Sequence, residues 1–162
     1  MSTSVYIETT IPSAYFETRT DRYAIGIRAL TREWWEKYAP GYRCVTSKAV
    51  LDELSSEDYP QAKRRDSLKL IQELELLPIT EDVVTVAETY IREKVMPQGL
   101  LGDALHLALA SFHHARYLLT WNCRHLANPN KIWHIRKANG ILGLPVPDLC
   151  TPAQLMRTEQ GA

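Results

Sequence analysis

Residues 102–122 read GDALHLALASFHHARYLLTWN and contain a helix and a strand in close succession. Apolar side chains occur nearly all round the helix predicted for Leu101 to Ala115, which indicates that this helix is buried. Tyr117 to Thr120 is a short apolar run that predicts a buried strand, and the chain turns polar directly after it. In α/β folds, chemistry usually lies where such a strand ends.

Helices and strands alternate through the rest of the chain. Apolar and β-branched runs predict further strands at Ser4 to Ile7, Tyr42 to Thr46, Leu76 to Ile79 and, at an edge of the sheet, Pro145 to Leu149. Periodicity and capping residues predict helices at Ile11 to Phe16, Asp21 to Tyr38, the segment SKAVLDEL capped by Ser47, Lys63 to Leu74, Glu81 to Lys94 capped by Thr80, Lys131 to Ala138, and after the capping box of Thr151 and Gln154.

Strands separated by helices predict an α/β fold with a mainly parallel central sheet of about four to five strands and helices on both faces. The sequence has no internal repeat, low-complexity tract or linker, so we expect one domain over residues 1–162.

The composition excludes several classes of protein. The chain has 162 residues, 45% hydrophobic and 23% charged, as in ordinary globular proteins. Its three cysteines are far apart and form no CxxC pair, which argues against a disulfide scaffold and a thiolate zinc site. Because no apolar run reaches the roughly 18 residues of a membrane span and no signal-peptide pattern is present, we expect a cytoplasmic protein without a membrane partner.

Charge is unevenly distributed, although the formal net charge is zero. The segment from Ala104 to Pro147 contains no Asp or Glu but carries all five histidines and several Lys and Arg residues. A basic half of a neutral protein can attract a polyanion, and burial of the segment would also explain the missing acids. Both readings stay open from the sequence.

Three acids stand where apolar structure meets the end of a strand or helix. Glu8 follows the first predicted strand, Glu53 lies at the edge of the apolar arc of its helix, and Asp103 opens the buried helix. Each also has a structural explanation, namely a solvated strand end, a helix salt bridge and a helix cap. Strand ends and the helices that follow them meet at one edge of a parallel sheet, where converging carboxylates would favour Mg²⁺ or Mn²⁺.

The segments YIETTIPS, TSKAVLDEL, GDALHLALA and LLTWNCRHLAN resemble, in order, the four acidic blocks of the PIN-domain family. The resemblance extends from about Val5 to Leu155. A PIN domain of this size is similar to the VapC-type toxins of toxin–antitoxin pairs. It implies Mg²⁺- or Mn²⁺-dependent cleavage of single-stranded RNA, a homodimer, and a small antitoxin protein that blocks the site.

The family pattern assigns roles to individual residues. Glu8 stands where the family usually has Asp, Glu53 and Asp103 match, and Asn122 stands where a fourth acid is usual. The resemblance makes Glu8, Glu53 and Asp103 the metal ligands. Thr10 and Thr120 match hydroxyl positions that support the metal site.

Asn for Asp leaves three negative charges rather than four and keeps a carbonyl oxygen and N–H groups. Asn122 can therefore orient water or phosphate, and it can equally cap the following turn.

Four basic side chains complete the candidate site. His106 lies one turn after Asp103, where it is either a general acid beside the acids or a satisfied core histidine. His125 can donate a proton or contact phosphate. Arg124 and Lys131 are candidate contacts to RNA phosphates.

These observations predict a metal-dependent endoribonuclease that is the toxin of a toxin–antitoxin pair. The first alternative is a PIN-fold module that has lost catalysis and binds RNA or a partner protein, with Asn122 as the sign of that loss. The second is another metal hydrolase such as a phosphatase, which the absence of a DxD motif after the first strand disfavours.

Overall fold

The computed structural model describes residues 2–161. Its strands are β1 Ser4–Ile7, β2 Arg43–Thr46, β3 Glu75–Leu76, β4 Tyr117–Leu119 and β5 Asp148–Cys150. Its α-helices are α1 Thr10–Tyr15, α2 Arg22–Glu33, α3 Lys48–Leu54, α4 Gln61–Ile71, α5 Glu81–Arg92, α6 Leu101–Phe112, α7 Ile132–Leu142 and α8 Pro152–Gln160. A π-helical turn, Trp34–Tyr38, continues α2.

The strands form one parallel sheet in the order β3-β2-β1-β4-β5, which confirms the predicted fold class. Strand β1 is central, and its Tyr6 pairs with Val45 of β2 on one side and Leu118 of β4 on the other. Val5, Tyr6 and Ile7 have no exposed surface, as expected for a strand covered on both faces.

The connections reverse direction at β1. Since parallel crossovers are right-handed, the helices that follow β1 and β2 cover one face, and α5, α6 and α7 cover the other. The packing agrees, because α1 contacts α2 and α4, whereas α5 contacts α6 and α7. The reversal opens a crevice between the carboxyl ends of β1 and β4, where ligands bind in doubly wound sheets.

The core confirms the burial predicted for the helix at Leu101 to Ala115, although α6 ends earlier, at Phe112. Leu107 and Leu109 of α6 are fully buried, as are Leu118 and Leu119 of β4. Trp34, in the π-helical turn, is also fully buried. The helix nearest the reversal point is therefore a rigid, desolvated support for the side chains in its first turn.

Several predicted boundaries differ from the observed ones for local reasons. The strand predicted at Leu76 to Ile79 is only Glu75–Leu76, since Pro78 has no N–H for the ladder. The last strand begins at Asp148 because Pro145 and Pro147 precede it. Helix α7 runs on to Leu142 and ends at Gly143, whose φ of 70° suits a left-handed helix end.

The predicted capping role of Ser47 is wrong. Its side chain makes no capping hydrogen bond to α3, and its Oγ lies 2.8 Å from the Tyr6 hydroxyl instead. In contrast, the predicted caps at Thr80 and Thr151 are present. Cys44, Cys123 and Cys150 form no disulfide. Among the described residues, no helix has both the length and the apolar character needed to span a membrane.

Candidate active site

Glu8 is a buried carboxylate at the carboxyl end of β1. Only 3% of its surface is exposed. Its Oε1 accepts hydrogen bonds from the Thr10 backbone N–H at 3.1 Å, from the Thr10 hydroxyl, and from the Thr120 hydroxyl at 2.6 Å. Thr120 follows β4, so the two hydroxyls tie the ends of neighbouring strands to the same oxygen.

Burial raises the pKa of Glu8 above its ordinary value, while the charge of His106 and the two threonine hydroxyls act in the opposite direction. An ionised carboxylate in this position gains from any further positive charge at the site. Thr10 and Thr120, the hydroxyl residues predicted to support the metal site, both contact Glu8.

Glu53 and His106 form an ion pair between α3 and α6. Glu53 is partly exposed, with 43% of its side chain accessible, whereas His106 is fully buried. The His106 Nε2–H donates to Glu53 Oε1, and the Thr9 hydroxyl donates to the same oxygen at 2.7 Å. The other oxygen, Oε2, lies over the start of α6, because a Cβ on Gly102 would be 3.5 Å from it.

A buried chain of hydrogen bonds supports this pair from behind. His106 Nδ1 lies 2.8 Å from the Tyr6 hydroxyl, which lies 2.8 Å from Ser47 Oγ. Burial raises the pKa of Tyr6 far above its ordinary value, so its hydroxyl stays protonated. The imidazole is therefore held at both nitrogens, between the central strand and Glu53.

Three acids surround His106. Burial of the imidazole lowers its pKa, but the hydrogen bond to Glu53 and the charges of Glu8, Glu53 and Asp103 outweigh burial and raise it. For Glu53, burial raises the pKa, and the hydrogen bonds from His106 and Thr9 with the charge of His106 lower it overall. The charges of Glu8, Glu53 and Asp103 thus all favour the protonated form of His106, and Glu53 contacts it directly.

Asp103 lies in the first turn of α6 and contacts Asn122. The Asn122 side-chain N–H donates to Asp103 Oδ2 at 3.2 Å, and Asn122 Oδ1 accepts from the His125 backbone N–H at 3.0 Å. Asn122 therefore caps the turn after β4 and touches the acid at the same time. Its Oδ1 keeps a second lone pair and its Nδ2 a second N–H, so both groups remain able to bind a ligand.

Each of the three acids keeps one oxygen free of hydrogen bonds from residues 2–161: Glu8 Oε2, Glu53 Oε2 and Asp103 Oδ1. Oxygen ligands without thiolates suit hard divalent cations, so the donor set fits Mg²⁺ or Mn²⁺. The acids are not in a ready-made ligand geometry, since no group of three or more His, Cys, Asp or Glu in the described part of the chain is arranged to hold a metal ion.

The remaining predicted residues lie around this cluster. His125 is half-buried, and its Nδ1 finds no partner among the described residues. Arg124 is exposed in the same turn. The Lys131 ammonium donates to the Val95 backbone carbonyl at 3.1 Å and contacts Met96, so it is held against the loop before α6.

Three residues of the site were missed by sequence reasoning: Tyr6, Thr9 and Ser47. A signal was available for Tyr6, because residues two apart in a strand point to the same face and Tyr6 stands two positions before Glu8. Ser47 follows β2 and resembles an ordinary helix cap, so nothing local distinguishes its observed role.

The model of the PIN domain family matches residues 5–126 of the chain. The chain belongs to the PIN domain family. The matched range includes Glu8, Glu53, Asp103 and Asn122, which confirms the predicted membership.

A solved structure shares the fold of this PIN domain: VapBC2 from Rickettsia felis bound to a DNA fragment from their promoter. The match has a TM-score of 0.52 at 17% identity and covers 91% of this chain and 98% of that chain. At this identity the likeness establishes a common fold. No curated protein matches the chain by sequence.

Proposed function

We propose that this PIN domain is a nuclease that hydrolyses phosphodiester bonds of RNA and serves as the toxin of a toxin–antitoxin pair. The observation that carries the proposal is the set of hydrogen bonds that holds three acids at the reversal point of the sheet: Glu8 is held by Thr10 and Thr120, Glu53 by the buried His106, and Asp103 by Asn122. Family membership and the shared fold with VapBC2 support the same reading.

In this proposal, the free oxygens of the three carboxylates hold Mg²⁺ or Mn²⁺. Such a cation, when bound, polarises a phosphoryl oxygen and lowers the pKa of a coordinated water. The chain itself supplies orientation: the threonine hydroxyls fix Glu8 Oε1, and His106 fixes Glu53 Oε1, so the second oxygen of each acid is left for the ligand.

Asn122 completes the proposed site at the position where the family usually has a fourth acid. It holds Asp103 through its N–H group and offers the remaining N–H to a water or a phosphate oxygen. His125, in the same turn, is the proposed phosphate contact or proton donor; its Nδ1 is buried and has no hydrogen-bond partner among the described residues. Arg124 and Lys131 are the proposed contacts to flanking phosphates.

The proposed partner is a small antitoxin protein, as in the VapBC2 complex, and the proposed assembly is a cytoplasmic homodimer of one-domain chains. Light scattering of the purified protein tests the dimer, and limited proteolysis tests the single domain. Copurification with the product of a neighbouring reading frame, together with loss of RNA cleavage, tests the antitoxin.

The central experiment is RNA cleavage with Mg²⁺ or Mn²⁺, combined with calorimetric titration of Mn²⁺. We expect the wild type to bind and cleave, and Asp103→Asn and Glu53→Gln to lose most of both activities, because each removes one charged ligand without changing side-chain size. Asp52→Asn is the matched control, since Asp52 neighbours Glu53 on α3 but is exposed and paired with Lys48.

Equal Mn²⁺ binding by the wild type and Asp103→Asn would contradict the assignment of the three acids to one metal site. Binding of Mn²⁺ without cleavage of any RNA tested would contradict the nuclease reading and favour the second candidate.

The second candidate is a PIN-fold module that binds RNA or a partner protein without cutting. The observation that favours it is the Asn122–Asp103 hydrogen bond, which holds Asp103 by a neutral amide where the family usually has a fourth acid. Asn122→Asp would place two carboxylates in contact and should lower stability without metal and increase affinity for Mn²⁺. Cleavage that appears only in Asn122→Asp would decide for this candidate, whereas cleavage by the wild type decides against it.

A further inference from the structure

A cavity of about 780 Å³ opens between the loop after α5 and the segment that leads into α7. Its polar lining is supplied by two walls: Arg92, Lys94 and Gln98 on one, and Asn128, Asn130, Lys131 and His134 on the other. Among residues 2–161, no Asp or Glu lines it. The polar groups that it offers to a ligand are therefore cationic, imidazole and amide groups. The rest of its lining is apolar.

Both walls are tied by hydrogen bonds to segments of the candidate active site. In the first, the Pro97 carbonyl accepts from the Leu100 N–H directly before α6, and in the second, the Asn128 Nδ2 donates to the Arg124 carbonyl at 2.9 Å in the turn that Asn122 caps. Lys131 stands at the junction. Its ammonium donates to the Val95 backbone carbonyl at 3.1 Å, which holds it against the loop before α6. Burial lowers its pKa, and the charge of Asp103 acts in the opposite direction. A strand whose phosphate reaches the acids can thus continue into the cavity.

Lys94 adds an exposed positive charge to the first wall of the cavity. It has a φ of 60° at the end of α5, in the left-handed region that closes many helices. The Val95 N–H donates to the Tyr90 carbonyl and the Lys94 N–H to the Ile91 carbonyl, so this helix end fixes the backbone of Lys94 beside the cavity.

We propose that this cavity binds the phosphate backbone of single-stranded RNA on one side of the bond to be cut. The proposal rests on the proposed nuclease function and adds to it the path of the substrate. Lys94 and Arg92 neutralise phosphates at the outer wall, and Lys131 does so next to Asp103. The amides of Gln98 and Asn128 donate hydrogen bonds to the same backbone.

The test is binding of a fluorescein-labelled single-stranded RNA oligonucleotide of mixed sequence in EDTA, measured by anisotropy over a range of salt concentrations. Without metal, binding is separated from cleavage. We expect Lys94→Gly to bind the RNA about fivefold more weakly at ~0.1 M salt. Loss of one phosphate contact should also reduce the slope of log affinity against log salt concentration by about 0.7, the value for single strands. Arg92→Ala should show a similar loss.

Two controls match Lys94→Gly. His114 is the other described non-glycine residue with positive φ, 59°, and it lies past the end of α6 that is remote from Asp103. His114→Gly relieves the same backbone strain and should leave RNA binding unchanged. Lys37→Ala removes one exposed positive charge near the amino end of β2 and should also leave it unchanged. Urea midpoints of both glycine variants should stay at or above that of the wild type, which excludes unfolding as the cause.

Binding by Lys94→Gly and Arg92→Ala with the wild-type affinity and salt slope overturns the proposal, and if the wild type cleaves RNA with Mn²⁺ the proposed function stands. Weakened binding in these variants with no cleavage by the wild type supports the cavity as an RNA site and contradicts the nuclease. If the wild type neither binds nor cleaves RNA, the cavity proposal and the proposed function are both overturned. Both are also overturned if the chain binds only a protein and this binding depends on the cavity residues.

Discussion

His106 links the core to the candidate site through both of its ring nitrogens. Tyr6 holds one nitrogen and Glu53 the other, so a single buried imidazole fixes the acid of α3 relative to the central strand. Sequence reasoning had offered a general acid or a satisfied core histidine. His106 is buried with both ring nitrogens hydrogen-bonded, as predicted for a core histidine. It also positions Glu53, so it supports the candidate site as well.

This pair should make the stability of the metal-free chain depend on pH. The stabilisation from Glu53 is complete above its ordinary pKa of 4.5 and is lost as pH falls through its lowered pKa. The stabilisation from His106 is complete below 6.5 and is lost as pH rises through its raised pKa. Burial raises the pKa of Glu8, so ionisation of Glu8 also lowers the stability of the folded state as pH rises.

We therefore expect the urea midpoint in EDTA to fall as pH rises above 6.5 through the pKa of His106. The loss should be about 1.4 kcal/mol for every tenfold difference in proton affinity between the folded and unfolded states. His106→Gln should be less stable than the wild type below pH 6.5 and should lose less stability as pH rises, because only the contribution of Glu8 remains. Parallel pH profiles for the two proteins would contradict the assignment to His106.

At the scale of single elements, two helices begin after similar residues in different ways. Ser47 precedes α3 and Thr151 precedes α8, and both suit a cap by residue type. Only Thr151 caps its helix, with its Oγ1 3.2 Å from the Gln154 N–H and the Gln154 side chain accepting in return. Ser47 instead serves the Tyr6 hydroxyl, a partner that the local sequence does not reveal.

The capping box of α8 should contribute measurably to stability. Thr151→Ala removes the side-chain acceptor at the start of the helix and should lower the unfolding free energy by about 1 kcal/mol. The control is Thr158→Ala, an exposed threonine later in the same helix. Urea denaturation of the two variants checks this, and an equal, small loss in both would show that the box is not a stabilising contact.

At the scale of the whole molecule, the three acids come together only in the folded chain. Glu8, Glu53 and Asp103 belong to segments after β1, after β2 and at the start of α6, so an unfolded chain presents no such cluster. A cation that binds the cluster therefore stabilises the native state by mass action.

We expect Mn²⁺ at about 100 times its dissociation constant to raise the unfolding free energy by about 2.7 kcal/mol. Asp103→Asn should lose most of this gain, and Asp52→Asn should keep it. Thermal unfolding with and without Mn²⁺ provides the measurement. A gain that is the same in all three proteins would mean that the ion binds elsewhere.

The sequence by itself determined the order of the elements, the parallel α/β class, the burial of the helix at residues 102–112 and the acids worth examining. These follow from local information: side-chain periodicity, turn residues, and the position of a polar residue directly after an apolar run. Strand ends were less certain, because prolines such as Pro78 and Pro147 limit ladder pairing in ways that depend on the neighbouring strand.

Only the tertiary structure decided which side chains meet. Tyr6 and His106 are 100 positions apart, and Glu53 and His106 are 53 apart, so their contacts depend on how helices seat on the sheet. The double role of Asn122 depends on how the turn after β4 meets the start of α6. The basic cavity likewise exists only where the loop after α5 lies beside the segment that leads into α7.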